Sequence, residues 1–134
     1  ATSAAAGHGD FITAGAGTDY NWTDFADEDT LWQSGLNDPC PTGYRIPTEI
    51  ELQTELDEFS SNDAAGAFSA LKLPLAGYRN TNSGTLANVG STGTYWSSTV
   101  SSPNARILYF NSSSAGMATR PRLLYIFDAP DSPV

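Results

Sequence analysis

The sequence contains very little of the chemistry on which most enzyme active sites depend. Its 134 residues include one cysteine, Cys40, and one histidine, His8. A single cysteine excludes an internal disulfide framework and a cysteine-cluster metal site. We interpret His8, which lies in a run of small residues, as an exposed linker residue, so no imidazole is left to activate a serine or cysteine nucleophile. The sequence also lacks phosphate-binding glycine motifs and the His-Glu-x-x-His zinc motif, and we predict that the protein is not an enzyme.

Positive charge is scarce as well. Six lysines and arginines stand against 15 aspartates and glutamates, which gives a net charge of −9. Such a charge repels the phosphates of nucleic acids and the anionic surface of a membrane, so we expect neither a nucleic-acid partner nor membrane insertion. No apolar run approaches the roughly 20 residues that a membrane span needs. The amino end also lacks a signal-peptide pattern, and we expect any export signal to have been removed or to lie outside this sequence.

The acidic residues allow two chemical alternatives. Asp24, Asp27 and Asp29 are candidate calcium ligands, because calcium prefers several carboxylate and carbonyl oxygens. Their spacing is not that of an EF-hand loop, so we favour a solvated loop and predict no cofactor, with calcium as the alternative. A carboxylate pair of a glycosidase is the less favoured second alternative. Most of the acids lie on this loop and on one helix face, where solubility explains them.

The chain reads as one domain with short flanking segments. We predict a small-residue lead or linker at residues 1–17, a domain at 18–128 and a tail at 129–134.

Two short helices are predicted in the first half of the domain. Thr48 and Glu51 form a Thr-x-x-Glu capping box, which marks the start of a helix that we expect to end near Ser60. Asn62 is the predicted N-cap of a second helix that continues to about Leu71.

Strand-forming residues and glycine-rich segments follow the helices. We predict strands at residues 73–79, 94–99, 106–110 and 123–127. Residues 80–93 and 111–120 are rich in serine, threonine, asparagine and glycine, and we predict long loops there. Helices followed by strands indicate an α+β fold with a mostly antiparallel sheet.

Four ordered blocks of the sequence resemble the Fibrobacter succinogenes major paralogous domain family. The blocks are residues 38–48 (DPCPTGYRIPT), 71–79 (LKLPLAGYR), 95–99 (YWSST) and 105–111 (ARILYFN). The resemblance runs from about residue 9 to residue 120. It implies a C-type-lectin-like fold, also similar to the formylglycine-generating enzyme, in a protein that is extracellular or displayed on the surface of a bacterium or virion. Members of the family look like binding modules, and they have no set of catalytic residues in common.

The chain departs in three ways from the proteins that it resembles. It lacks the Glu-Pro-Asn, Gln-Pro-Asp and Trp-Asn-Asp signatures of calcium-dependent lectins, so calcium-mediated sugar binding is not carried over. It also lacks the paired cysteines with which the formylglycine-generating enzymes hold copper. The closing strand of the family carries a cysteine that could pair with that of the proline turn, whereas residues 122–128 here carry none, which leaves Cys40 without that partner.

Some lectin-like proteins of this kind are targets of diversity-generating retroelements, which vary a carboxy-terminal binding face. Residues 95–122 look like such a region. The candidate ligand-binding residues are Tyr95, Asn104, Tyr109, Asn111, Ser113, Met117, Thr119 and Arg120, and all of them except Tyr95 are expected to be exposed.

The sequence therefore predicts a surface-displayed ligand-binding or adhesion domain. Its binding face would be built from the loops around residues 80–93 and 104–122, because rigid aromatic and short polar side chains suit such a face. The expected partner is a cell-surface protein or glycan. The alternative is a self-associating subunit of a surface filament, joined to its neighbour by strand addition through residues 123–127.

Overall fold

The computed structural model describes residues 38, 40–80, 83–101 and 104–121. Within these ranges the elements are α1 Glu49–Asp57, α2 Ala64–Leu71, β1 Tyr78–Arg79, β2 Leu86–Ala87, β3 Thr92–Ser101, β4 Asn104–Asn111 and β5 Ala115–Pro121. All strand pairs in this part of the chain are antiparallel, with β1 on β2 and a second sheet in the order β3-β4-β5. The predicted α+β class with a mostly antiparallel sheet is confirmed.

Helix α1 begins at the predicted capping box. The Thr48 hydroxyl accepts a hydrogen bond from the Glu51 N–H at 3.3 Å, and the Glu51 carboxylate accepts one from the Thr48 N–H at 2.8 Å. Arg45 also donates to the Glu51 carboxylate, at 2.8 Å. One carboxylate thus caps the helix and ties it to the preceding turn.

The predicted end of α1 near Ser60 is wrong, because the helix stops at Asp57. The N–H groups of Glu58 and Phe59 donate to carbonyl groups three residues earlier instead of four, at 3.1 Å each. Such bonds tighten the last turn and end the α-helix. The hydrophobic spacing of Phe59 imitates a further helical turn, although the residue packs against the core from beyond the helix.

The N-cap of α2 is Asp63, not the predicted Asn62. Its carboxylate accepts the Ala65 and Gly66 N–H groups at 2.9 and 3.1 Å, and the Ser61 hydroxyl at 2.7 Å. Asparagine and aspartate are about equally good caps, so the sequence pattern alone does not separate these neighbours. The helix ends at residue 71, as predicted.

Three carboxylates that organise this region have lowered pKa values. Arg45 and then Thr48 lower the pKa of Glu51 to about 2. The Ser61 hydroxyl and the first N–H groups of α2 lower the pKa of Asp63. Burial raises the pKa of Asp38, but hydrogen bonds from the backbone N–H groups of Cys40 and Ile46 outweigh it and lower the pKa overall.

Acid is therefore expected to destabilise the fold through Glu51. Its folded-state pKa of about 2 lies below its ordinary 4.5, so its contribution is complete above pH 4.5 and is lost as the pH falls towards 2. We expect Glu51→Gln to lower stability at pH 7 and to flatten the decline between these two pH values. Urea denaturation at pH 7, and at several pH values between 4.5 and 2, measures the two effects. Glu55→Gln removes an equal charge from the same helix, and equal flattening by both variants would contradict the assignment.

The strand predicted at residues 73–79 is confirmed only at Tyr78–Arg79. Pro74 has no N–H to donate to a ladder, and its carbonyl accepts from the Ala76 N–H at 2.9 Å in a tight turn. Gly77 follows with a φ of +71°, outside the range of strands. The apolar residues of this segment pack against the core from an irregular chain.

The long loop predicted at residues 111–120 is wrong. A tight turn at residues 112–114 leads directly into β5, which pairs with β4 from Phe110↔Ala115 to Asn104↔Pro121. The sequence does not predict β5, because Ala115, Gly116 and Ala118 are small and give no alternation of large apolar and polar residues. Its neighbour β4 supplies the bulky side chains, so β5 needs no strong apolar pattern of its own.

The hydrophobic core lies between the helices and one face of the β3-β4-β5 sheet. Its buried members are Leu52 of α1, Ala67 of α2, and Leu108 and Phe110 of β4. Half-buried side chains surround them: Leu56, Phe59, Ala64, Leu71, Leu73, Leu75, Tyr95, Ala115 and Met117.

An ion pair also joins helix α1 to this face of the sheet. The Arg106 Nε donates to Glu49 at 2.7 Å, and its Nη1 donates to the Thr119 hydroxyl at 2.5 Å. The pair fixes the start of α1 over the end of β4 that lies away from the β4–β5 turn.

Several predicted features lie outside the described residues. They are the boundaries of the lead at 1–17 and of the tail at 129–134, the strand at 123–127, His8, and the candidate calcium ligands Asp24, Asp27 and Asp29. These remain predictions, and so does the filament alternative that needs the strand at 123–127.

Candidate functional site

The two faces of the β3-β4-β5 sheet differ in what they carry. Alternate residues of β4 point to opposite faces, so Leu108 and Phe110 face the helices, while Ile107, Tyr109 and Asn111 face the other way. Ile107 on this second face is completely buried. Tyr109 and Asn111 are only half-buried, so the second face becomes accessible towards the β4–β5 turn.

Three strands meet at this accessible end. Thr92 at the start of β3 is paired with Asn111 at the end of β4, and Gly116 near the start of β5 is paired with Tyr109. Directly paired residues of antiparallel strands point to the same face. We call the group Thr92, Tyr109, Asn111, Ser113 and Gly116 the hairpin-end site.

Asn111 organises the turn of this site. Its Oδ1 accepts the Ser113 and Ser114 N–H groups at 2.8 and 3.0 Å, and both serine hydroxyls at 2.9 and 3.3 Å. The Asn111 N–H donates to the Ser114 carbonyl at 2.8 Å. This is an Asx-turn, in which a side chain replaces a backbone acceptor. The Asn111 Nδ2 faces the strand and donates to the Tyr109 hydroxyl at 3.3 Å.

Gly116 leaves space beside the Tyr109 side chain. A Cβ built on Gly116 meets no atom of the described residues within 4 Å, apart from its chain neighbours. Gly93, on the helix-facing side of the same sheet, behaves in the opposite way, since its Cβ would lie 2.2 Å from the Phe110 ring. One strand glycine thus makes room for the core, and the other leaves room next to an aromatic side chain at the surface.

Thr92 contributes a buried polar atom. Its Oγ1 has no hydrogen-bond partner among the described residues, although its backbone is fully engaged. The Thr92 N–H donates to the Asn88 carbonyl at 3.1 Å, and its carbonyl accepts from Gly77 at 2.8 Å. A buried hydroxyl without a partner is costly, and such groups are usually satisfied by water or by a bound molecule.

The loop that precedes β3 reaches the same end of the sheet. The bond between Asn88 and Thr92 attaches it there. Leu86 in β2 and Val89 in the loop after it expose 62% and 61% of their surface, and they lie among exposed serine, threonine and asparagine side chains. The two polar segments that the sequence singled out, 80–93 and the start of 111–120, therefore meet at one end of the sheet.

Two of the predicted binding residues face the helices. Tyr95 stacks on Phe110 with ring centroids 5.7 Å apart and donates to the Pro74 carbonyl at 2.8 Å. Burial raises the pKa of its hydroxyl to about 12. Met117 packs against the same core. Both side chains thus contribute to the packing between the helices and the sheet.

Three others lie at the end of the sheet away from the β4–β5 turn. Asn104 begins β4, and the Thr119 hydroxyl receives the Arg106 hydrogen bond described above. Arg120 donates to the Thr119 carbonyl at 2.9 Å. The structure therefore brings together three of the eight predicted residues, Tyr109, Asn111 and Ser113, at the hairpin-end site.

The expected exposure of these residues is wrong for most of them. Of the seven expected at the surface, Ser113 is exposed and the others are half-buried. Their segment forms paired strands, not a loop, so each side chain is flanked by its cross-strand neighbours. Thr92 and Gly116 were missed as site residues because their place depends on strand register, for which the sequence offered no turn signal.

Among the residues that the structure describes, no three histidine, cysteine, aspartate or glutamate side chains come together as a metal site. No helix within the same ranges is long and apolar enough to span a bilayer. Searches with family models, curated proteins and solved structures find no match to this chain. The resemblance to the Fibrobacter succinogenes family stays a prediction.

Proposed function

We propose that this chain is a ligand-binding or adhesion domain of a bacterial or phage surface protein, with a C-type-lectin-like fold, and that its ligand binds at the hairpin-end site. The partner is a cell-surface protein or glycan. The ordered α+β scaffold holds the site, and no catalytic step is part of the proposal.

One observation carries the proposal: the space beside Tyr109 that Gly116 leaves open. On the same face of the sheet, Asn111 follows Tyr109 along β4 and accepts hydrogen bonds from the turn serines. Thr92, whose buried hydroxyl has no partner among the described residues, is paired with Asn111 on the far side from Gly116. Rigid aromatic groups give contact area at low entropic cost, and short polar groups adapt their hydrogen bonds to a ligand. Leu86 of β2 and Val89 of the adjoining loop are exposed and add apolar area at the same end of the sheet.

Filling the open space is expected to abolish binding without unfolding the domain. In Gly116→Leu the new Cβ meets no atom of the described residues within 4 Å, so we expect thermal stability to stay close to that of the wild type. Binding to a combined array of glycans and bacterial surface proteins should fall at least tenfold, or about 1.4 kcal/mol. Ala70→Leu adds the same side chain to an exposed position of α2 and serves as the matched control.

Comparison of the two variants distinguishes a specific loss of binding at the hairpin-end site from a general effect of an added leucine. Loss of the array signals in Gly116→Leu alone supports the proposal. Retention of every signal in a folded Gly116→Leu protein, or equal losses in both variants, places binding elsewhere and contradicts it.

A further inference from the structure

The orientation of the Asn111 amide is fixed by its neighbours. Its Oδ1 accepts two backbone N–H groups, which cannot bond to an NH₂ group, so the oxygen must face the turn. The Nδ2 must then face Tyr109, where it donates to the phenol oxygen at 3.3 Å. Exchange of the amide oxygen and nitrogen would break both bonds from the backbone N–H groups of the turn.

This arrangement determines what the Tyr109 hydroxyl can do. A phenol has one proton to donate and an oxygen that accepts. Asn111 occupies the acceptor side, and no other hydrogen bond of this hydroxyl is found among the described residues. The phenol proton is therefore directed away from the amide and is available to a ligand.

The rest of the site is uncharged. Its side chains are hydroxyl, phenol and amide groups, and none of its five residues is acidic or basic. The central strand of the site, β4, is paired on both sides along its length and offers no free backbone edge, whereas Thr92 and Gly116 lie on the two outer strands of the described sheet. A peptide that binds by strand addition needs a free edge, so recognition over β4 depends on its side chains.

We propose that the hairpin-end site binds an uncharged oxygen-containing ring of the saccharide type through an oxygen acceptor, and that Asn111 sets this preference by holding the Tyr109 hydroxyl as a donor. In this proposal the apolar side of the ring lies over Gly116 beside Tyr109, where a Cβ would meet no atom of the described residues within 4 Å. Asn111 acts here as a positioning residue. The inference rests on the proposed function and names the ligand chemistry of the same site.

Small ring probes test the acceptor preference directly. Tetrahydropyran has the ring and one acceptor oxygen, whereas piperidine has the same ring shape but is a cation with donors only at neutral pH. We expect tetrahydropyran to shift the amide NMR signals of Gly116 and Ser112–Ser114 saturably, at a dissociation constant on the order of 1–100 mM. Piperidine should not shift them at about 0.15 M salt, although the net charge of −9 attracts a cation.

Two variants test the role of Asn111. Tyr109→Phe removes the donor and should weaken tetrahydropyran binding roughly five- to tenfold, the loss of one hydrogen bond. Asn111→Asp keeps the acceptor for the turn but replaces the amide donor with a second acceptor, which draws the phenol proton inwards. Tetrahydropyran binding should fall by a similar factor while piperidine binding rises. Tyr44→Phe, at a tyrosine 78% exposed outside the site, should change neither.

In Asn111→Asp, weaker binding of tetrahydropyran together with stronger binding of piperidine would show that Asn111 positions the Tyr109 hydroxyl and does not merely support the turn. A collapsed turn would weaken both probes together, and that result in Asn111→Asp would overturn the role of Asn111. Saturable shifts with piperidine or N-methylacetamide as large as those with tetrahydropyran would overturn the ligand class while leaving the site in place. If tetrahydropyran causes no saturable shift, the inference is also overturned. The proposed function is tested separately, by the array experiment with Gly116→Leu.

Discussion

Gly93→Ala is expected to lower the free energy of unfolding by about 2–3 kcal/mol. The added methyl group would lie 2.2 Å from two atoms of the Phe110 ring. That ring is fully buried and stacks on Tyr95, so it has no free volume into which to move. The substitution therefore forces β3 and β4 apart or pushes Phe110 into the helices.

Urea denaturation of the variant measures this loss. Gly116→Ala is the matched control, because it changes a glycine of the same sheet where the new methyl group meets no atom of the described residues within 4 Å. We expect the control to be neutral or slightly stabilising, since alanine restricts the unfolded chain more than glycine does. Similar losses in both variants would mean that Gly93 is not pressed against Phe110.

Gly77→Ala should have the larger effect, a loss of about 3–4 kcal/mol, because strain and collision add. Gly77 has a φ of +71°, an angle that residues with a side chain rarely adopt. A Cβ there would also lie 2.3 Å from the Ala87 carbonyl oxygen and 2.6 Å from the Val89 nitrogen. These are backbone atoms, which cannot rotate away as a side chain can. Strand β2 and the loop that carries Val89 would have to separate from the segment before β1.

Gly43→Ala separates the backbone strain of a positive φ from the collision of the new methyl group. Gly43 has a φ of +90° but meets no atom of the described residues within 4 Å of its Cβ position. It therefore reports the strain alone, about 1–2 kcal/mol. Thermal and urea unfolding of both variants gives the comparison, and a loss at Gly77 no greater than at Gly43 would contradict the close packing of this loop.

Local signals in the sequence were sufficient for the helices. The start of α1 follows from the Thr48–Glu51 capping box, because those two residues satisfy each other's backbone groups without help from the rest of the chain. The ends of the elements were less certain. Asn62 and Asp63 cap equally well in isolation, and the choice depends on the Ser61 hydroxyl that supports Asp63.

Strand β5 and the site depend on pairing, which is not local. Gly116 is recognisable as a site residue only once it is placed opposite Tyr109, and this register is set by the tight turn at Asn111. A run of three serines gives little turn signal, since the Asn111 side chain supplies the acceptor. Tyr109, Asn111 and Ser113 were candidates through the resemblance to lectin-like proteins with a variable binding face. Their position next to Thr92 and Gly116 follows only from the pairing of the strands.

The most direct test of the central claim is NMR mapping of the surface that a ligand from the array covers. Titration of the isotope-labelled protein with that ligand should shift the amide signals of Asn88, Tyr109 and Ser112–Gly116, and leave those of α1 and α2 unchanged. Shifts centred on the helices, with none at the β4–β5 turn, would contradict a binding site at this end of the sheet.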